Sequence, residues 1–351
     1  MKNHPTTNGL AGETAPATSP HPQPHPHPLP LPVVELNQQA MSLLDQARGH
    51  FADWSIDTLR VGGAEVLDFR SANCPPEAGI LLARVSGGGQ LDVAVVLAAA
   101  GSTWPFEVEV HTSDPGPTCL GAQYAGWPLS CGKYFAMVSG PIRGARGREP
   151  LFQHFSIDSN AWQKHPEVKR VAVLESDQLP DEATIQQMAT ECACRPDQMM
   201  LCVAGTASPA GTLQVVARSL ETSLHQCEVL GGDVGGIQAG TGRAPLPPIP
   251  KKSLTAIGWT NDAIIYHGQA TWHVTGDWDA WQKLGSQVSS ENSPSFGQPF
   301  LALFKAAGYD FYKLDPRLFA PAVIVIEHTP SRQSLRFGSV HPELLQASWS
   351  E

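Results

Sequence analysis

Hydrophobic residues recur at helical spacing directly after Pro32. Leu36, Ala40, Leu43, Leu44, Ala47 and Phe51 fall on one stripe of "VVELNQQAMSLLDQARGHFADW", which predicts an amphipathic helix. Further on the period shortens. Residues 56–69 ("IDTLRVGGAEVLDF") read as strands, 75–85 as a helix, and 91–99 and 106–111 as strands. "VKRVAVL" at 168–174 and "MMLCVAG" at 199–205 predict two more strands, with a helix over 181–194 between them. The longest helix is expected from Gly211 to Gly232, "GTLQVVARSLETSLHQCEVLGG", where a glycine pair stops it. "GRAPLPPIPKK" at 242–252 reads as a Pro-rich connector, and "TNDAIIYHGQATWHV" as a hairpin. Helices near 278–287 and 298–307 and a strand at 322–328 complete the pattern. Strands and helices follow each other without regular alternation, so the expected fold class is α+β.

Composition narrows the partners. Residues 1–32 alternate Pro with His, Gln and Leu, a tail that favours extended conformation and cannot bury a core. The chain carries 33 Asp and Glu against 23 Lys and Arg, a formal charge of −10 that argues against a nucleic-acid partner. The longest apolar run, Val93 to Ala100, is far too short to span a membrane, and the N-terminus has no secretory pattern. Seven scattered cysteines fit reduced thiols in a cytoplasmic protein.

Three constellations carry candidate chemistry. On the 211–232 helix, Leu213, Val216, Leu220, Leu224 and Cys227 fall within about 80° of one another. Arg218 and Glu221 point roughly opposite, three residues apart, either as an exposed ion pair or as one face of a cleft. "TNDAIIYHG" offers Asn261 and Asp262, as a turn or as ligands. "SGPIRGARGR" sets three arginines (Arg143, Arg146, Arg148) among glycines, an anion site or a solvated loop. "GGDVGGIQAGTG" lacks nucleotide-binding spacing, and "CAC" at 192–194 is poor for zinc.

The blocks "HTSDPGPTCLGAQYAGW" (111–127), "QVVARSLE", "APLPP", "GWTNDAIIYHGQ" and "GYDFYKLDPRLFAPA" occur in that order. Together they closely resemble the methenyltetrahydromethanopterin cyclohydrolases, in their bacterial form, over roughly residues 34–349. The resemblance implies hydrolysis of a methenyl-tetrahydropterin: water adds to the cyclic amidinium carbon and the ring opens to the N5-formyl compound. It implies no metal and no redox cofactor. The family's Arg-x-x-Glu falls on Arg218 and Glu221, with Glu221 as base and Arg218 pairing with it to keep it ionised. Gly121, Gln123, Tyr124, Gly126 and Trp127 are expected to wall the pterin pocket, Asn261 and Asp262 to contact the pterin or shape its pocket, and Arg143 to anchor the phosphate-bearing tail. Some archaeal members are expected to carry a lysine at the Tyr124 position, so no proton-transfer role passes to Tyr124. The implied architecture is two mixed helix/sheet domains with the pocket between them, in a homotrimer. The division expected is 33–115 plus about 255–351 against 116–254. A non-catalytic pterin-binding protein, or a cyclohydrolase for a folate-type amidine, are the rival readings.

Overall fold

The structure, a computed structural model, describes residues 28–158 and 160–350. Most of the His/Pro tail lies outside them. Its last residues do not: β1 (Leu29–Pro30) pairs in parallel with β8 (Phe155–Ser156), and Leu31 is buried. Residues 29–31, ahead of the expected Val33, are thus part of the packed structure.

The chain runs on through α1 (Val33–Ala47), β2 (Asp57–Val61), β3 (Ala64–Asp68), α2 (Pro76–Ser86), β4 (Asp92–Leu97) and β5 (Phe106–Thr112). A π-helix, Gly116–Gln123, precedes β6 (Trp127–Cys131), β7 (Tyr134–Ser139), α3 (Ile142–Arg146) and α4 (Ala161–Lys164). Then come β9 (Arg170–Glu175), α5 (Glu182–Glu191), β10 (Met199–Ala204), α6 (Pro209–Val216) and α7 (Ser219–Val229). The last third is β11 (Ile237–Pro245), α8 (Ser253–His267), β12 (Gln269–Val274), α9 (Trp278–Val288), α10 (Phe300–Ala306), β13 (Val323–His328), β14 (Gln333–Gly338) and α11 (Pro342–Trp349).

Two six-stranded sheets organise these elements, in the orders β2-β3-β10-β9-β7-β6 and β14-β13-β12-β11-β5-β4. The fold is α+β. In the first sheet β3, β10 and β9 run parallel, while β2, β7 and β6 are antiparallel to their neighbours. Val171, Val173, Met200 and Cys202 pack towards α1 and α2, and Ala172, Leu174, Leu201 and Val203 towards α5. Both faces are covered, which is why β9 and β10 read as unbroken apolar runs. The second sheet is covered on one face. Val108, Val110, Ala270, Trp272, Ile324 and Ile326 pack with Leu220 and Leu224 of α7, and the residues between them along these strands are mostly polar.

Strand membership divides the chain at other points than the expected 115/116 and 254/255 crossings. β2 and β3 belong with the strands of residues 127–204, and β11 belongs with β4, β5 and the C-terminal strands. β11 was hidden because it is rich in glycine. Those glycines have a packing purpose: a Cβ at Gly240 would meet Leu220 Cδ1 at 2.8 Å, and one at Gly242 would meet the Leu220 backbone nitrogen at 2.6 Å. Only glycine lets the sheet approach the first turn of α7 this closely.

Two further expectations change. The 211–232 helix is two helices, with Ala217 and Arg218 joining α6 to α7. The supposed hairpin start at 260–266 lies inside α8. Its polar residues are accommodated by bonding backwards along the helix: Thr260 Oγ1 donates to the Ala256 carbonyl (2.8 Å) and Asn261 Nδ2 to the Ile257 carbonyl (2.8 Å).

Candidate active site

Within the glycine- and proline-punctuated block 111–127, residues 116–123 form the π-helix. Its wide turns are closed by bonds such as Tyr124 N to the Cys119 carbonyl, 2.7 Å. All eight residues from Gly116 to Gln123 are buried. Gly116 and Gly121 leave room for Leu29 and Leu31, which pack on the helix. Gly121 therefore faces the N-terminal segment, where an approaching ligand ring had been expected.

Gln123 is fully buried, and its Nε2 donates to the Ala217 carbonyl (3.0 Å) at the α6–α7 junction. Its Oε1 has no hydrogen-bond partner among the described residues. This bond ties the end of the π-helix to the place where Arg218 leaves the backbone. Tyr124 follows, with its ring stacked on His225 of α7 at 4.5 Å between centroids and 18° between planes. The same ring lies 5.0 Å from the Arg143 guanidinium carbon. Gly126 is the close-approach residue here, since a Cβ would run into the Tyr124 ring and the Glu149 carboxylate. Trp127 is buried in β6 under the Arg146 guanidinium (4.5 Å to its ring centroid), in the core on the α5 side of the first sheet.

Arg218 and Glu221 are both buried, at 8% and 3% exposure, so the solvated ion pair is excluded. They are also not hydrogen-bonded to each other. Arg218 Nη2 donates to Gln214 Oε1 (2.9 Å) and to Ser139 Oγ (3.3 Å), and its Nε has no partner among the described residues. Glu221 makes no hydrogen bond or ion pair among the described residues. Burial raises its pKa to about 7, and the charges of Arg218 and Arg143 only partly oppose that rise. The expectation that Arg218 holds the carboxylate fully ionised is thus corrected: desolvation outweighs two nearby cations because neither donates to it. His225 is shifted the other way. Burial, then the Arg143 charge, push it down to about 4, so its ring is neutral at pH 7. Burial also keeps the Tyr124 phenol and Cys119 thiol protonated, with Glu221 adding to both shifts.

Arg143 is placed differently from the expected phosphate anchor. Its side chain is fully buried, and it forms an ion pair with Glu149 through Nε (3.0 and 3.1 Å) and Nη2. Nη1 donates to the carbonyls of Leu120 (2.9 Å) and Ala122 (3.4 Å). It braces the π-helix from below with its donors already engaged. Arg146 and Arg148 both face Glu191, so the three arginines offer no open anion cradle.

Asn261 and Asp262 make hydrogen bonds to α8, α10 and α11. The fully buried Asp262 accepts from Phe300 N (3.0 Å) and Ser348 Oγ (2.5 Å), fastening α8 to α10 and α11. That accounts for a buried carboxylate in the middle of α8 without a ligand.

His225, Gln214, Ser139, Glu149 and Cys119 are the site residues that sequence reasoning missed. Gln214 and His225 had a signal, because Gln214, Arg218, Glu221 and His225 follow one another at spacings of four, three and four. Ser139, Glu149 and Cys119 arrive from other elements and had none. Two clefts lie elsewhere. One of about 670 Å³ opens on the polar face of the second sheet beside Glu107, His111 and Arg243. Another of about 580 Å³ opens at the carboxyl ends of β3, β9 and β10. Neither is lined by Glu221 or Tyr124.

The family model described as Cyclohydrolase (MCH) matches residues 35–349. The chain belongs to the MCH cyclohydrolase family. Relatives named methenyltetrahydromethanopterin cyclohydrolase include one from Rhodopirellula baltica, 41% identical over 83% of this chain and 87% of its own length. Others come from Methanosarcina barkeri (34% identical, 90% and 98% covered) and Methanocaldococcus jannaschii (34%, 91% and 100%). The MCH match takes in the π-helix, the α6–α7 junction and every residue around Glu221 named above. It leaves the His/Pro tail outside.

Proposed function

We propose that this protein is a methenyltetrahydromethanopterin cyclohydrolase and that Glu221 is its general base. The observation that carries the assignment of the base is a carboxylate at 3% exposure with a pKa near 7 and no hydrogen-bond partner among the described residues, flanked by a flat aromatic pair. A base of that strength is half ionised at working pH, close to the optimum for accepting a proton in the transition state.

Water's oxygen bonds to the bridging amidinium carbon while Glu221 accepts one of its protons. The carbinolamine then collapses: the C–N10 bond breaks, the pair and the remaining hydroxyl proton go to N10, and the N5-formyl product forms. One proton is released overall through Glu221. The anionic form of Glu221 also attracts the cationic substrate, and Arg218 and Arg143 limit how far that attraction holds the ground state. Tyr124 and His225, both uncharged at pH 7, offer a planar wall to a planar cation. Gln123, with a free carbonyl oxygen, is the residue suited to a pterin N–H.

The family resemblance implies no metal or redox group, and addition of water to an amidinium needs neither. A two-domain, homotrimeric, cytoplasmic enzyme is our reading from the family resemblance, and seven free cysteines suit that compartment. No helix among the described residues is long and apolar enough to cross a membrane.

The test is purified protein with methenyltetrahydromethanopterin, following loss of the methenyl absorbance. Turnover well above the spontaneous rate is expected. Tight binding without turnover would favour a pterin-binding protein instead, and a higher kcat/KM for the folate analogue would reassign the substrate.

A further inference from the structure

The proposed base raises a question of geometry. Arg218, in the α6–α7 junction, immediately precedes α7 and stands three residues before Glu221, near enough for its charge to act on the carboxylate. Yet its guanidinium is bound to Gln214 and Ser139. Gln214 is fully buried, lies one turn earlier on α6, and accepts at 2.9 Å. Ser139 ends β7 in the other sheet and is also buried. We infer that Gln214, assisted by Ser139, is a positioning residue that holds Arg218 back from Glu221 and so preserves the carboxylate as a base. The inference rests on the proposed role of Glu221 and adds to it the device that sets its strength.

Other groups facing Glu221 do not perform this task. From α3, Arg143 is held by Glu149 and the π-helix carbonyls. From the π-helix and the residue after it, Cys119 and Tyr124 are uncharged. Asp114, in front of the π-helix, interacts with Cys119 and is itself raised by burial. On α7, His225 is neutral. The strands packed on α7 turn Val108, Val110, Gly240, Gly242 and Trp272 towards it. Arg218 is therefore the cation whose position decides the outcome. A direct pair within about 4 Å lowers a carboxylate pKa by roughly one to three units.

The experiment compares wild type with Gln214→Leu, and with Gln214→Leu combined with Ser139→Ala should the weaker partner suffice. Two readouts are needed: the acid limb of kcat/KM against pH, and the Glu221 titration by infrared difference spectroscopy against Glu221→Gln. With the hold removed, both midpoints should fall by at least about one unit and the plateau rate by about tenfold. Adding Arg218→Met should bring the titration back up. A titration left in place in the double variant overturns the inference, whatever the rate does, because a merely structural glutamine would cost rate without moving it. If instead the titration shifts while Glu221→Gln turns over like wild type, the catalytic role of Glu221 fails and the hold on Arg218 stands.

Discussion

The ring of Tyr124 lies flat against the imidazole of His225, 4.5 Å between centroids and 18° from parallel. One residue follows the π-helix and the other lies one turn after Glu221, so the stack clamps the segment of residues 111–127 against α7. Tyr124→Phe keeps the stack and removes only a phenol that burial holds protonated. Steady-state kinetics should show kcat and KM within about threefold of wild type, consistent with a non-titrating wall. Tyr124→Ala should raise KM by about tenfold or more. A large kcat loss in the phenylalanine variant would instead assign the hydroxyl a proton-transfer role.

Glu221→Gln should lower kcat by at least about 100-fold in a protein that still folds. Arg218→Ala should also slow turnover, and the double variant should lose much less than the product of the two single losses, since the residues act as a unit. Strictly additive losses would separate them.

The rate should depend on pH through the same group. Glu221 must be ionised to accept a proton and its pKa is near 7, so kcat/KM should fall as pH drops below about 7. Stability moves in the opposite sense. A carboxyl whose folded pKa is raised from 4.5 to about 7 favours folding fully only below the unfolded value, and that advantage is lost as pH rises through 7. Glu221→Gln should therefore be stabilising relative to wild type above pH 7, by on the order of 3 kcal/mol at most, with the difference fading towards pH 4.5. His225, depressed to about 4, acts the other way: its contribution is complete above about 6.5 and disappears as pH falls through 4. Denaturant melts across pH 4–9 test both signs.

Arg143 distinguishes a brace from an anion anchor. Removing one partner of a buried, hydrogen-bonded ion pair costs about 3–5 kcal/mol, so Arg143→Ala should lower the unfolding free energy by that order. An anchor would give a stable protein whose KM rises for the phosphate-bearing substrate alone.

Gly126→Ala tests the crowding around Tyr124. The added methyl meets the Tyr124 ring and the Glu149 carboxylate, and such overpacking costs about 1–3 kcal/mol. Because it displaces the wall and not the base, KM should suffer more than the pH midpoint of the rate.

Much of this was legible in the chain. α1, α2, α5, β9 and β10 follow from local period, because each buries a face or both faces that its own spacing announces. Arg218 and Glu221 could be placed near each other because they are three residues apart, although the break between α6 and α7 at Arg218 was not foreseen. β11 and α8 were not legible. The glycines of β11 serve a neighbour that is distant in sequence, and Asn261 and Asp262 mimic a turn until the carbonyl of Ile257, Phe300 N and Ser348 satisfy them.

By itself, then, the sequence determined the α+β class, the family blocks and the closeness of one arginine to one glutamate along the chain. All are local patterns of side-chain spacing. Only the tertiary structure decided that this helix face is buried, that Arg143 is bonded to Glu149 and the π-helix carbonyls, and that Gln214 and Ser139 claim the Arg218 guanidinium. Those outcomes depend on which polar groups from separate elements meet once water is excluded, and it is that exclusion which raises the Glu221 carboxyl to about 7.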